Sequence, residues 1–385
     1  MSTANTLTNL IPEFYAALDV VSRELVGFVP AVLRDSTADR AAKDQTVRIF
    51  QAPASTAGDI TPAVTPPDDG NQTIGNTTVS ITKARRVPFR WQGEETRSME
   101  RGFGASTIRQ SQLQQAIRTL VNEMETDLAA LHIYASRAYG DGGTTPFAST
   151  LADSAQVRKI LDDNGAPADR GLVIDTAAGA ALRTLGQLTK ANEAGTDSML
   201  RQGVLLDMHG FAIRESAQVK QLVTSGTGAS ATTDAAGYAI GATTITLASA
   251  GTGTIIAGDV IRFTGDTEQY LVVTGDADVS NGGSVVIAAP GLRKAIAASA
   301  TAITVEEASS RSMAFSRDAI ILATRAPALP DGGDMADDRM LVTDPRSGIT
   351  LELSVYKQYR QVQYEVAAAW GVKALKPAHI ALMLG

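Results

Sequence analysis

The stretch ITLELSVYKQYRQVQYEVAAAWGVKALKP, Ile349 to Pro377, decides how this chain is read. It opens on strict alternation: Ile349, Leu351, Leu353 and Val355 are apolar, and most of the residues between them are polar. Successive side chains of a strand point to opposite faces, so period two marks a strand with one buried face. Apolar and aromatic positions continue through Tyr359, Val362, Tyr364, Val366 and Trp370 without a helix cap, and the pattern stops at Pro377. This predicts one long aromatic-rich ribbon. A ribbon of that length suits a protein that builds a sheet across its own body, or a neighbour's, more than it suits an enzyme.

The rest of the chain bounds what that sheet can serve. At 385 residues, two or more domains are expected. Charged residues make up 19%, below the roughly 25% usual for soluble domains, which fits a surface largely covered by copies of the same chain. The formal net charge of −7 provides no global basic field for nucleic acid. With no cysteine there is neither a disulfide framework nor a thiolate zinc site. No signal-peptide pattern and no apolar run near the ~20 residues of a membrane span is present, so a cytosolic protein without membrane contact is expected.

Working outward, Asn9 caps a first helix in which Phe14, Ala17, Leu18, Val21 and Leu25 share a face. It precedes the first core candidate and reads either as an arm that packs on something else or as an ordinary core helix. Thr46–Phe50 and Thr77–Trp91 read as strands flanking a long Pro/Gly-rich loop, which suggests a projecting hairpin. Its return strand carries Lys83, Arg85, Arg86 and Arg90, either a solvated basic face or a contact for an acidic neighbour. From Ala105 to Tyr139 an apolar stripe of Leu113, Ile117, Leu120, Met124, Leu128, Leu131 and Ala135 predicts a helix roughly 50 Å long. GLVID (Gly171–Asp175) reads as a buried strand, followed by a helix from Thr176 to Leu188. Gly203–Glu215 reads as two strand pieces around a turn at His209 and Gly210.

Composition changes between Gln221 and Glu307. Short alternating runs such as Ile245/Leu247, Ile261/Phe263, Tyr270/Val272 and Val285/Ile287 are separated by Gly-rich turns, the pattern of a small β-barrel or sandwich. This segment holds eight acidic and three basic residues, so most of the chain's net charge sits on it and it is expected to face solvent, away from DNA.

Signals for chemistry are sparse. The three histidines, His132, His209 and His379, form no spaced metal pair, and neither a nucleophile elbow nor a phosphate-binding Gly-rich loop occurs. Asp276–Gly282 has a faint calcium-loop pattern, but position twelve is Ile287, where a bidentate Glu belongs; a hairpin turn is the better reading. No catalytic residue, cofactor or metal is expected. A hydrolase with an accessory β domain would need an acid pair with raised pKa in a cleft. An adhesin or tail fibre fits poorly with the long helix.

In combination these elements resemble the major capsid (coat) proteins of tailed bacteriophages with the Hong Kong 97 fold, and more closely the P-twenty-two type, which carries an inserted β domain. The residues carrying the resemblance are Asn9–Val32, Val79–Trp91, the helix Ser106–Tyr139, Leu172–Leu185, Val204–Ser216 and Tyr359–Pro377. It implies an α+β fold divided into an N-terminal arm (1–45), an extended-loop hairpin (46–97), and a spine helix with peripheral domain (98–150). A peripheral/apical domain (151–220), an inserted β-barrel (221–310), an apical return (311–340) and C-terminal peripheral strands (341–385) would follow. It further implies hexamers and pentamers of one subunit in an icosahedral shell, with a scaffolding protein, a portal at one vertex, packaged double-stranded DNA and a decoration protein as partners. Such shells assemble in the host bacterial cytoplasm. An encapsulin-like compartment, which holds cargo protein instead of DNA, shares the fold. Expected contacts between subunits are Phe14, Leu18, Val21 and Leu25 on the arm, and Arg85, Arg86 and Arg90 on the hairpin. Asp266, Glu268, Asp276 and Asp278 on the insert are expected to meet adjacent capsomers. Tyr359, Tyr364 and Trp370 are expected to pack in the C-terminal sheet or against the long helix.

Overall fold

The computed structural model describes residues 16–18, 27–51, 57, 59–60, 62, 64–65, 71, 73–100, 105–189, 207–220, 222–343 and 348–385. Its first strands are β1 (Leu33–Ala41), β2 (Thr46–Gln51), β3 (Gly75–Ser80) and β4 (Lys83–Gln92), followed by helices α1 (Gly93–Glu100) and α2 (Ala105–Ala129). A 3-10 turn, Ala130–Tyr134, leads to β5 (Arg137–Gly140), α3 (Ala152–Asp163), β6 (Arg170–Ile174), α4 (Thr176–Thr184), α5 (Gly186–Thr189) and β7 (Phe211–Glu215). There follow β8 (Thr244–Leu247), β9 (Val260–Phe263), β10 (Gln269–Thr274), β11 (Gly283–Ile287) and β12 (Ile303–Val305). The chain closes with β13 (Arg311–Ser316), β14 (Ile320–Pro327), β15 (Asp338–Thr343), β16 (Thr350–Gln358), β17 (Gln361–Ala374) and β18 (Ile380–Leu384).

The stretch that decides the reading is two strands, not one ribbon. β16 and β17 pair antiparallel from Glu352↔Ala367 to Gln358↔Gln361, with the turn at Tyr359–Arg360 and Arg360 at φ 57°. Both arms keep period two, so the alternation alone did not disclose the reversal. β17 is the hub of a six-stranded sheet: it pairs with β16, with β4 and with β14, while β1 joins β14 in parallel and β15 joins β16. Trp370 on β17 is fully buried, and its indole N–H donates to Asp127 of α2 at 2.9 Å. Tyr364 stacks on Phe89 of β4 at 5.3 Å between ring centroids. Tyr359, by contrast, is 88% exposed at the turn and packs in neither place.

All seven stripe residues of the long helix are buried in the main core. The helix itself ends at Ala129, giving about 38 Å instead of the 50 Å expected. Arg137–Gly140 is drawn out as a strand because both of its edges are used: β18 pairs in parallel on one side and β10 antiparallel on the other. β5 thereby belongs to a ten-stranded sheet of order β12-β9-β10-β5-β18-β13-β6-β7, with β11 and β8 continuing from β10. One face of its body strands (Val173, Met313, Phe315, Leu382) meets α2, and the other face (Leu172, Ala314, Met383) meets α3 and α4. Asp175 caps α4 by accepting from the Ala178 N–H at 3.1 Å.

The segment 222–309 has its own core of Ile245, Ile261, Phe263, Tyr270, Val285 and Leu292, among others. Its strands run β8-β11-β10-β9-β12, and residues 231–234 bond to both ends of that row: Thr233 N–H to Thr301 O, and Ala248 N–H to Thr232 O. Hydrogen bonding therefore runs full circle through the module.

Candidate assembly surfaces

β2 and β3 form a two-stranded sheet of their own, registered from Thr46↔Ser80 to Gln51↔Gly75. Only its root is packed: Val79 and Ile81 are fully buried with Ala41, Ile321, Ala323 and Ala369. Gly371 permits this approach, because a Cβ there would overlap the Ser80 carbonyl. Beyond the root, Phe50 is 73% exposed, Ile74 64%, Ile60 98% and Val64 wholly exposed. A lone hairpin is marginally stable in water, and large apolar side chains left exposed on it suit a surface that is covered by a partner.

The basic residues are not on that hairpin. The expected single strand Thr77–Trp91 breaks at Ile81–Thr82, and Arg85, Arg86 and Arg90 belong to β4, inside the six-stranded sheet. The break follows from burial: Ile81 sinks into the root cluster and Thr82 bonds to Trp370 O, which turns the chain onto β17. Arg86 pairs with Glu365 at 2.6 Å, Arg85 with Glu123 at 3.5 Å, and Lys83 with Asp127 at 2.7 Å. The side chains of Arg85 and Arg86 stay 58% and 62% exposed, and Arg90 is exposed too.

Of the arm residues, Phe14, Val21 and Leu25 lie outside the described residues, while Leu18 is buried in the main core. The expected arm of residues 1–45 is corrected at its end. Phe28, Val29 and Val32 are buried, and β1 is a strand of the body sheet. Sequence reasoning missed the device that docks this segment. Glu125 on α2 accepts from the Phe28 and Val29 N–H groups at 2.8 and 2.7 Å and from the Ser216 hydroxyl at 3.0 Å. Burial pushes the Glu125 carboxyl up, against the pull of those hydrogen bonds. Glu125 lies beside the apolar stripe between Glu123 and Asp127, and nothing in the sequence singles it out from them.

The insert carboxylates divide into two kinds. Glu268 is an internal clamp: it binds Arg137 at 2.6 Å and Lys159 of α3 at 2.9 Å, and its side chain is 17% exposed. Burial works to raise its pKa, but Lys159 and Arg137 hold the carboxyl below its ordinary range. Arg137, fully buried, also reaches Asp163 and the Ile160 carbonyl. Asp266 accepts from the buried Tyr270 hydroxyl at 2.7 Å and orders its own turn. Asp276 and Asp278 shape the 276–282 turn: Asp278 caps a short 3-10 turn and accepts from Ser280 and Asn281, and it remains exposed.

Ser154 lies 2.8 Å from His209 Nδ1, but it is fully buried and its hydroxyl donates to Leu151 O, so it is not an exposed nucleophile. Burial also raises the Asp259 carboxyl. Asp259 is held by the Ile256 and Gly226 N–H groups, as Glu125 is by Phe28 and Val29, so neither is a free catalytic acid.

No protein-family model and no curated protein matches the sequence. Among solved structures, the chain is similar to the capsid of Cyanophage P-SCSP1u at 11% identity, covering 93% of this chain and 88% of that chain with a TM-score of 0.45. A virus-like particle from Pyrococcus furiosus is similar at 9% identity, covering 97% and 98% with a TM-score of 0.44. A chain of Mycobacterium phage Che8 is similar at 13% identity, covering 89% and 85% with a TM-score of 0.41. At these values none of them lends a residue role to this chain.

Proposed function

We propose that the protein is a shell subunit: a phage capsid protein of the Hong Kong 97 kind that assembles with copies of itself into a closed icosahedral particle. The observation that carries this reading is the hairpin beyond residue 46, which leaves Phe50, Ile60, Val64 and Ile74 uncovered in the single chain. Closed assemblies repeat one heterologous contact around local axes, and repetition multiplies a modest contact. A hairpin reaching over a neighbour, with the open basic edge of β4 beside it, is such a contact. Within the same reading, Asp276 and Asp278 on the exposed insert turn face the adjacent capsomer, and the segment 221–310 is the inserted barrel of the P-twenty-two type. Packaged double-stranded DNA, a scaffolding protein, a portal and a decoration protein belong to this proposal as partners.

The test is electron microscopy of the overexpressed protein, with a Phe50→Ser/Ile74→Ser variant beside it. Uniform hollow particles are expected from the parent. The variant should remain soluble and folded by circular dichroism but form no particles. If it assembles normally, the hairpin does not make the contact. A parent that stays monomeric overturns the shell reading, and particles from the native source that hold a cargo protein and no DNA would identify an encapsulin-like compartment.

A further inference from the structure

Arg311 starts β13, directly after the β module rejoins the body. Residues two apart on a strand share a face, so Arg311 lies on the face of Met313 and Phe315, turned towards α2. It is 3% exposed, and none of its guanidinium nitrogens has a hydrogen-bond partner among the described residues. It lines a cavity of about 120 Å³ together with Thr126, Ala130, His132, Gln218 and Lys220. A buried guanidinium with no hydrogen-bond partner is costly to a fold.

The buried carboxylates Asp259 and Glu306 attract this charge through space, against the desolvation that lowers the Arg311 pKa, but neither reaches the guanidinium by a hydrogen bond. Asp127, also on the wall, is occupied through one oxygen by Lys83 and through the other by the Trp370 indole. Glu306 pairs with Arg262 at 2.6 Å, and both Asp259 oxygens accept from backbone N–H groups. Lys220 is exposed and has no ion pair among the described residues. Burial first, and then the positive charges of Arg311 and Lys220, hold the His132 imidazole below its ordinary range. Water could fill such a space, but it would bring no negative charge to the guanidinium.

We propose that this cavity binds a small free oxyanion of the phosphate class, held by the Arg311 guanidinium and the Lys220 ammonium. A planar guanidinium with every N–H unused matches an oxyanion through two parallel hydrogen bonds. The cavity wall includes Gln218, Val219, Lys220 and Val223, which lie after β7 and before β8, where the chain leaves the body for the β module. An anion there ties α2, this connection and β13 together, and so braces the module on the body. The site needs only one chain and is independent of the shell reading.

The experiment is thermal unfolding of the full chain against inorganic phosphate, at constant ionic strength set with chloride. The parent midpoint should rise by roughly 2–4 °C once phosphate passes well above its dissociation constant. Arg311→Met should remove the rise while unfolding no earlier than the parent in phosphate-free buffer, because it deletes a buried guanidinium that makes no hydrogen bond. Lys220→Gln, at an exposed position, should fold like the parent and require several-fold more phosphate. A short oligothymidine at equal phosphate concentration should have no effect. No rise in the parent, or an equal rise in Arg311→Met, overturns the proposal. If Arg311→Met does not fold, an unchanged phosphate response in Lys220→Gln overturns it. An Arg311-dependent rise with the oligonucleotide makes this a nucleic-acid contact instead, and the free-oxyanion site fails.

Discussion

Two arginines are buried where the β module meets the body, and their surroundings differ completely. Arg137, on the β5 side of the seam, reaches Glu268, Asp163, Asn164 and a carbonyl, so its charge is matched on several sides. Arg311, on the β13 side, is buried to nearly the same degree, and its guanidinium has no hydrogen-bond partner among the described residues. Identical residue type and near-identical exposure thus describe a finished junction and an unfinished one. The difference teaches that burial of a charge has no fixed meaning until its partners are counted.

The largest test of this contrast is Arg137→Ala. Removing one partner of a buried pair strands the others, so a loss of about 3–5 kcal/mol is expected in urea unfolding. A loss below 1 kcal/mol would put the two arginines on the same footing. The next effect comes from pH. The Glu268 carboxyl is held below its ordinary value, so its contribution is present above that value and lost as pH falls through the folded one. Glu125 has the opposite sign. Its carboxyl is raised, so its contribution is fully present below the ordinary value and declines as pH rises through the folded one. Mild acid should therefore speed hydrogen exchange at the β5–β10 seam while sparing residues 28 and 29. Uniform acceleration at both places would contradict this.

Smaller still, Arg311→Met in phosphate-free buffer should leave stability unchanged or slightly higher, read from the same urea curves. The smallest effect belongs to an exposed charge. Arg86→Glu disrupts a pair whose guanidinium is 62% exposed, so it should change monomer stability by only about 0.2–1 kcal/mol. Particle yield, measured by sedimentation, should respond far more if β4 meets a neighbour. Equal and small changes in both would confine Arg86 to its own sheet.

Much of the framework was legible before any coordinates. The seven residues of the expected helical stripe are all in the core, Asp175 caps its helix, and the alternating apolar positions between residues 245 and 287 are buried in a core of their own. Three features were not legible. The β16–β17 reversal rests on Tyr359–Arg360, which contains none of the usual turn residues, while alternation continues on both sides. The end of α2 was overrun because Leu131 and Ala135 extend its stripe, whereas the edges of β18 and β10 claim Arg137–Gly140 as strand. Glu268 read as a surface acid because its two cations lie 131 and 109 positions away in the chain.

By itself the sequence determined which faces are apolar, because side-chain period is a local property of the backbone and survives any tertiary arrangement. It also determined the Gly/Thr-rich composition of residues 221–307 and the short alternating strands within it. Only the tertiary structure decided how the charges were settled: Glu268 enclosed by two cations, Arg86 matched within its own sheet, Arg311 left with an empty fork. Desolvation and pairing depend on groups far apart in the chain, and no local pattern encodes the distance between them.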